Sequence, residues 1–314
     1  MRPARCLLIG LLLCLLTGVA RAEEPFFKKG DVIAIVGGED MVALSEYGYL
    51  ELLLTRALPD FHLRFRNLAW EGDTVFEQRR DLNFPPWEEQ LEKIGATVVL
   101  CQFGQMESLA GKEKLPQFIA AYEKLLRRFG GGGKRRVVLL MPTRFDFEMD
   151  GFSPKSEDDK IKSARLSEYV LAIISLRTEG IDFGLIETGA GMTRDGIHLS
   201  IEGQVGFALQ IEPLARPKDA RVEGMGYSKK DGTVYNRGLE PLRQLIIAKN
   251  RLWFDYWRVQ NWAFLAGDRT NQPSSRDHLD PAKRWFPEER ERFLPLIEAK
   301  EREIDALAQK LAQP

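Results

Sequence analysis

The chain has 314 residues, 44% of them hydrophobic and 29% charged, with a formal charge of −1. That length suits one large domain with an appendage. A charge so near neutral gives no basis for a nucleic-acid or anionic-membrane partner. Two of the three cysteines lie at Cys6 and Cys14, which leaves Cys101 alone in the rest of the chain. A lone thiol builds no disulfide framework, so a hydrophobic core has to hold the fold.

The first 22 residues read as a cleavable secretory signal peptide. Arg2 and Arg5 precede an apolar run from Cys6 to Leu16, and Ala20-Arg21-Ala22 offers a small-x-small cleavage site. The cut is expected after Ala22, placing the chain outside the cytoplasm, secreted or periplasmic. The run is shorter than the ~20 apolar residues of a membrane span, so no stable membrane insertion is expected. Neither Cys6 nor Cys14 is preceded by the small residues of a lipidation site. Removing Arg2, Arg5 and Arg21 leaves 42 basic against 46 acidic residues, a charge of −4.

Val32-Ile33-Ala34-Ile35-Val36 is apolar on both faces and β-branched, the pattern of a buried strand in a parallel sheet. A helix with Tyr49, Leu50, Leu52, Leu53 and Leu54 inward follows. Further strands are expected at His62–Leu68, Thr97–Gln102, Arg136–Met141 and Ile181–Ile186. Amphipathic helices fit Trp87–Ile94, Leu115–Phe129 and Lys160–Arg177. The alternation of strand and helix predicts a doubly wound parallel sheet with helices on both faces and ligands beyond the carboxyl ends of its strands. Gly130–Gly133 reads as a flexible connector, because no Lys-Ser/Thr follows to make a phosphate loop. Beyond residue 216 the pattern changes. Apolar positions from Leu242 to Phe264 recur at helical spacing along a stretch rich in tryptophan, which predicts a long helix packed on the domain. A polar loop (Arg269–Asp280) and a charged helix from Pro287 complete a C-terminal extension. The expected domains are therefore 23–216 and 217–314.

Four short segments at the predicted strand ends carry the chemistry. The first strand ends Val36-Gly37-Gly38-Glu39-Asp40. The second runs into Asn67-Leu68-Ala69-Trp70-Glu71-Gly72-Asp73, and the third into Gly104-Gln105-Met106-Glu107-Ser108. The last segment is Asp195-Gly196-Ile197-His198. In this order the blocks resemble those of SGNH/GDSL-type hydrolases. Tyr47-Gly48-Tyr49-Leu50-Glu51, Phe65-Arg66-Asn67-Leu68 and Lys249-Asn250-Arg251-Leu252-Trp253-Phe254 are similar to phrases in the secreted SGNH-like proteins of planctomycetes and verrucomicrobia. The resemblance implies a three-layer α/β/α, flavodoxin-like fold, an esterase-like activity on a small-molecule or glycan ester, and no cofactor. It further implies His198 as base, Asp195 as its orienting acid, Glu39 at the nucleophile position, and Gly72 and Gly104 as backbone donors. Asn67, Asp73, Met106, Glu107 and Ser108 are further cleft candidates.

Two positions depart from that pattern. Glu39 stands where the nucleophilic serine belongs, and Met106 where an oxyanion-binding asparagine belongs, which argues against an ordinary serine esterase. Three readings stay open. Glu39 acts as a carboxylate beside His198; Ser45 or Ser108 supplies the hydroxyl; or the cleft binds a glycan or other ligand without turnover, with Trp253, Trp257, Trp262 or Trp285 as a stacking surface. His62, expected within a strand, and His278, in a polar loop, read as structural. The three histidines show no metal-ligand spacing, so no metal is expected.

Overall fold

A computed structural model describes residues 26–80, 82–146, 157–176, 183–186, 193–215, 225–259 and 262–313. The leader predicted over 1–22, its cleavage site, and residues 217–224 of the predicted extension lie outside these residues.

The elements in chain order are β1 (Val32–Gly37), α1 (Glu39–Tyr47), α2 (Tyr49–Ala57), β2 (Arg64–Asn67), α3 (Trp87–Lys93), β3 (Val98–Gln102), α4 (Gln105–Ser108), α5 (Leu115–Gly130), β4 (Arg136–Leu140), α6 (Glu157–Ser175), β5 (Phe183–Ile186) and α7 (Ile201–Ile211), then α8 (Leu239–Trp257), α9 (Trp262–Ala266), α10 (Trp285–Glu291) and α11 (Phe293–Ala312). The five strands form one parallel sheet in the order β2-β1-β3-β4-β5. Period-two alternation sorts the strand residues between two cores. Ile33, Ile35, Leu100 and Leu140 pack with α1, α2 and α7, whereas Ala34, Val36, Cys101 and Leu139 pack with α3, α5 and α6. This is the three-layer α/β/α arrangement that the strand–helix alternation predicts.

β2 is an edge strand, and bare edges recruit other chains unless they are covered. Here α8 covers it. Leu242 and Ile246 join one core, Trp253 and Trp257 the other, and the Trp253 indole donates to the carbonyl of Asn67 at 2.8 Å. α11 packs along α8 and places Asp305 and Glu301 against the strand. Arg64 makes a two-pronged contact with Asp305 (3.1 and 2.7 Å), and Arg66 pairs with Glu301 at 2.5 Å. Behind them the fully buried Lys249 of α8 meets Glu51 of α2 at 2.7 Å. Burial lowers the lysine pKa and raises that of the glutamate, each opposed by the partner's charge.

Several expectations change in detail. The helix through Phe264 stops at Trp257, where Arg258 (φ −98, ψ 62) caps it, turns its guanidinium over Trp70 at 4.1 Å and pairs with Glu71 at 2.6 Å. His62 precedes β2 instead of lying in it. It sits in the left-handed region (φ 53) and pairs with Asp305 at 3.0 Å. The Gly130–Gly133 segment is a defined turn and no flexible connector. Gly131, Gly132 and Gly133 take φ of 55, 69 and 89, a run that glycine adopts without Cβ strain, and the Gly131 N–H closes α5 on the Arg127 carbonyl. Among the described residues no helix is long and apolar enough to cross a membrane.

Candidate active site

The sheet order places the site. From β1 the chain moves outward to β2, then returns past β1 to β3, so a crevice opens at the carboxyl ends of β1 and β3. There Gly37 pairs with Gln102, bringing the residues after each strand side by side. A cavity of about 190 Å³ lies over them. Its walls include Glu39, Asp40, Gly72, Met106, Pro142 and His198.

His198 is set by its own loop. Asp195 Oδ1 accepts the N–H groups of Ile197 (3.1 Å) and His198 (2.8 Å), and Oδ2 lies 2.6 Å from His198 Nδ1. Aspartate favours such turns because its short side chain reaches the backbone two and three residues on. Gly196 completes the turn with φ 89, and a Cβ there would stand 2.6 Å from the carbonyl oxygen of Asp146. Partial burial pushes the Asp195 carboxyl up, but the His198 amide, the imidazole and the Ile197 amide outweigh it and hold the pKa at about 2. An ionised carboxylate only accepts, so Nδ1 donates to it and Nε2 is the ring nitrogen left for other partners. Nε2 has no hydrogen-bond partner among the described residues, and the ring faces the cavity.

Glu39 opens α1 and lines the same cavity. No hydrogen bond or ion pair joins it to His198. The N–H groups of Glu39 and Asp40 fall in the first turn of the helix, where no intrahelical carbonyl reaches them. Among the described residues the Gly72 N–H makes no hydrogen bond either, so backbone donors without a described partner border one space.

Asp40 is the site's most perturbed acid. Only 5% of its surface is exposed. Desolvation pushes its pKa up to about 6 against the opposing pull of Thr143, the His198 charge and the Leu199 amide. Its Oδ1 makes no well-formed hydrogen bond, which suits a carboxyl that keeps its proton through weakly acidic pH. Its neighbourhood to a motif was visible in the sequence, but its burial was not.

The remaining candidates divide differently from the expectation. Gly104 does not serve as a donor to substrate, because its N–H is committed to Glu107 Oε2 at 2.8 Å. Glu107 Oε1 takes the Val75 N–H at 2.8 Å, so this buried acid ties two loops together; burial pushes its pKa up despite both amides. Ser108 does not stand in for the nucleophile. Its surface is fully buried and Oγ donates to the Gln105 carbonyl at 2.6 Å. Asn67 holds α1 to β2 by donating to the Met41 carbonyl and Ser45 Oγ, both at 2.7 Å. Asp73 is neutralised by both prongs of Arg80 (2.8 and 2.7 Å), whose guanidinium lies 4.4 Å over Trp70. Met106 stands at the rim, 51% exposed, and offers no donor. Gln102 and Gln105, which the sequence did not single out, line the cavity, with their amides fixed on the carbonyls of Met141 (2.9 Å) and Thr143 (3.0 Å).

Neither a protein-family model nor the sequence of a curated protein matches the chain. Solved structures do. A gut microbial diltiazem-metabolizing enzyme aligns over 92% of this chain and 96% of its own, with a TM-score of 0.55 and 12% identity. A carbohydrate esterase family 3 protein from Talaromyces cellulolyticus covers 61% of this chain and 100% of its own (TM-score 0.43, 14% identity). A lipase/acylhydrolase from Enterococcus faecalis covers 60% and 100% (TM-score 0.41, 18% identity). Other structural neighbours include a carbohydrate acetylesterase from Sinorhizobium meliloti and a putative GDSL-like lipase from Parabacteroides merdae. At these identities the likeness is one of fold, and in the first of them it covers enough of the chain to reach into the C-terminal extension.

Proposed function

We propose that the protein hydrolyses small-molecule carboxylic esters through water activated by His198, in place of a serine nucleophile. What carries this reading is the Asp195–His198 contact of 2.6 Å, which leaves Nε2 unengaged at the wall of a cavity that also holds the Glu39 carboxylate and the Gly72 amide. In the first step a water oxygen attacks the acyl carbon while its proton passes to Nε2. The resulting oxyanion sits against the Gly72 N–H and the first-turn amides of α1. Collapse breaks the C–O bond to the alcohol, and Nε2 returns the proton to the departing alkoxide. Ester and water become acid and alcohol, with no covalent intermediate on the chain. Asp195 keeps the imidazole in the required tautomer, and the Glu39 charge favours the imidazolium that forms midway. The predicted leader places this activity outside the cytoplasm, and amino-terminal sequencing of the exported protein should begin at Glu23.

A second reading, ligand binding without turnover, draws on Met106, which leaves the oxyanion position a side-chain donor short. Acetylated sugars and p-nitrophenyl esters distinguish the two. Hydrolysis that falls at least about a thousandfold in His198→Ala, with no labelling by a fluorophosphonate, supports the hydrolase. A serine-type probe that labels the wild type would restore Ser45 as a nucleophile and sink the water mechanism. Binding without turnover, unaffected in His198→Ala, leaves the binding module. Glu39→Ser adds a positive control, since it should gain fluorophosphonate labelling.

A further inference from the structure

The cavity over Gly72 adjoins a larger one of about 370 Å³, and among the described residues the two share Glu39 and His198 in their linings. Helical periodicity explains the larger space. Glu39, Val42, Ala43 and Glu46 recur at i, i+3, i+4 and i+7, which brings them to one face of α1. Ile247, Asn250, Arg251 and Phe254 repeat the same spacing on α8, and the two faces form opposite walls with Leu199 buried between them. The C-terminal extension therefore completes a chamber that begins at the candidate catalytic histidine. The α8 wall is fixed, because Lys249 is pinned to Glu51 at 2.7 Å and the Asn250 amide donates to the Ser45 carbonyl at 3.4 Å.

The charge on the rim identifies the ligand class. Two acids, Glu39 and Glu46, face two cations, Arg194 and Arg251. Apart from Glu39, each has an internal partner: Gln204 on Glu46 at 3.3 Å, Asp255 on Arg251 at 3.3 Å, and Asp195 beside Arg194 at 4.0 Å. Among the described lining residues no net charge is left for an ionic ligand, whereas Val42, Ala43, Leu199, Ile247 and Phe254 offer apolar contact. Unengaged backbone donors border the smaller cavity, so the carbonyl oxygen and acyl group belong there.

Resting on the hydrolase reading, we infer that the larger cavity is the leaving-alcohol subsite and selects uncharged, ring-sized alcohols esterified to a short acyl group. Benzyl acetate against ethyl acetate tests it, with Ala43→Phe filling the chamber from α1 and Phe254→Ala opening it from α8. The ratio of kcat/KM for benzyl over ethyl acetate should fall about tenfold or more in each folded variant, mostly through KM. A ratio within twofold of wild type in both would overturn the assignment. If the wild type hydrolyses neither ester, the hydrolase reading fails separately, and ligand-observed NMR of benzyl alcohol decides the subsite. Binding lost in Ala43→Phe supports it. No binding to the wild type, or equal binding to both proteins, overturns it.

Discussion

Two loops at the ends of the sheet hold polar residues at comparable motif positions, and they use them in opposite ways. In the loop after β3, Glu107, Ser108 and the Gly104 amide all spend their hydrogen bonds inside the protein. In the loop before α7, Asp195 spends its bonds on orienting one ring and leaves Nε2 of His198 open to the cavity. The first loop commits its polar atoms to the fold; the second leaves one ring nitrogen free for the chemistry proposed for it. Availability separates a scaffold residue from a functional one, and residue type does not report it.

The contrast can be broken most severely at Glu107. Replacing it with alanine strands the buried Val75 and Gly104 amides, each at about 1–3 kcal/mol, so a loss near 4 kcal/mol is expected in denaturant unfolding. A loss under about 1 kcal/mol would show that the loop is not held as described. Asp40 comes next. The unfolded chain ionises this group near 3.8, whereas the folded chain keeps its proton to about 6. Its contribution is therefore present below pH 4 and drains away as pH rises to 6. At 1.36 kcal/mol per unit the loss is roughly 3 kcal/mol. Asp40→Asn should flatten stability between pH 4 and 6 and raise it at pH 7; an unchanged slope would place the titration elsewhere. A smaller gain is expected at Met106. Met106→Asn restores a donor beside the oxyanion position and should raise kcat about a hundredfold, near 2.7 kcal/mol, with KM little changed. No rise would mean that the rim position does not reach the oxyanion.

The sheet and its helices were legible because Val32–Val36 and its counterparts are buried on both faces and show the pattern directly. The Asp195–His198 pair was legible because both partners lie within one turn of chain. What the sequence could not convey was the occupancy of hydrogen bonds. Gly104 and Ser108 match a motif equally well whether their polar atoms face a ligand or a neighbouring carbonyl. The role of α8 in the larger cavity was also hidden. Its apolar residues recur at helical spacing whichever surface they cover, and only the fold sets Phe254 opposite Val42.

Ser108 gives the mildest and most discriminating test of the two loops. Its Oγ donates a single neutral hydrogen bond within its own turn, to the Gln105 carbonyl at 2.6 Å. Ser108→Ala removes that donor from the Gln105 carbonyl, so the cost should be about 1 kcal/mol in unfolding experiments. Ester turnover should stay within about twofold of wild type, because a side chain with no exposed surface cannot meet an acyl carbon. A thousandfold loss of turnover with stability retained would instead make Ser108 the nucleophile and require the β3 loop to open.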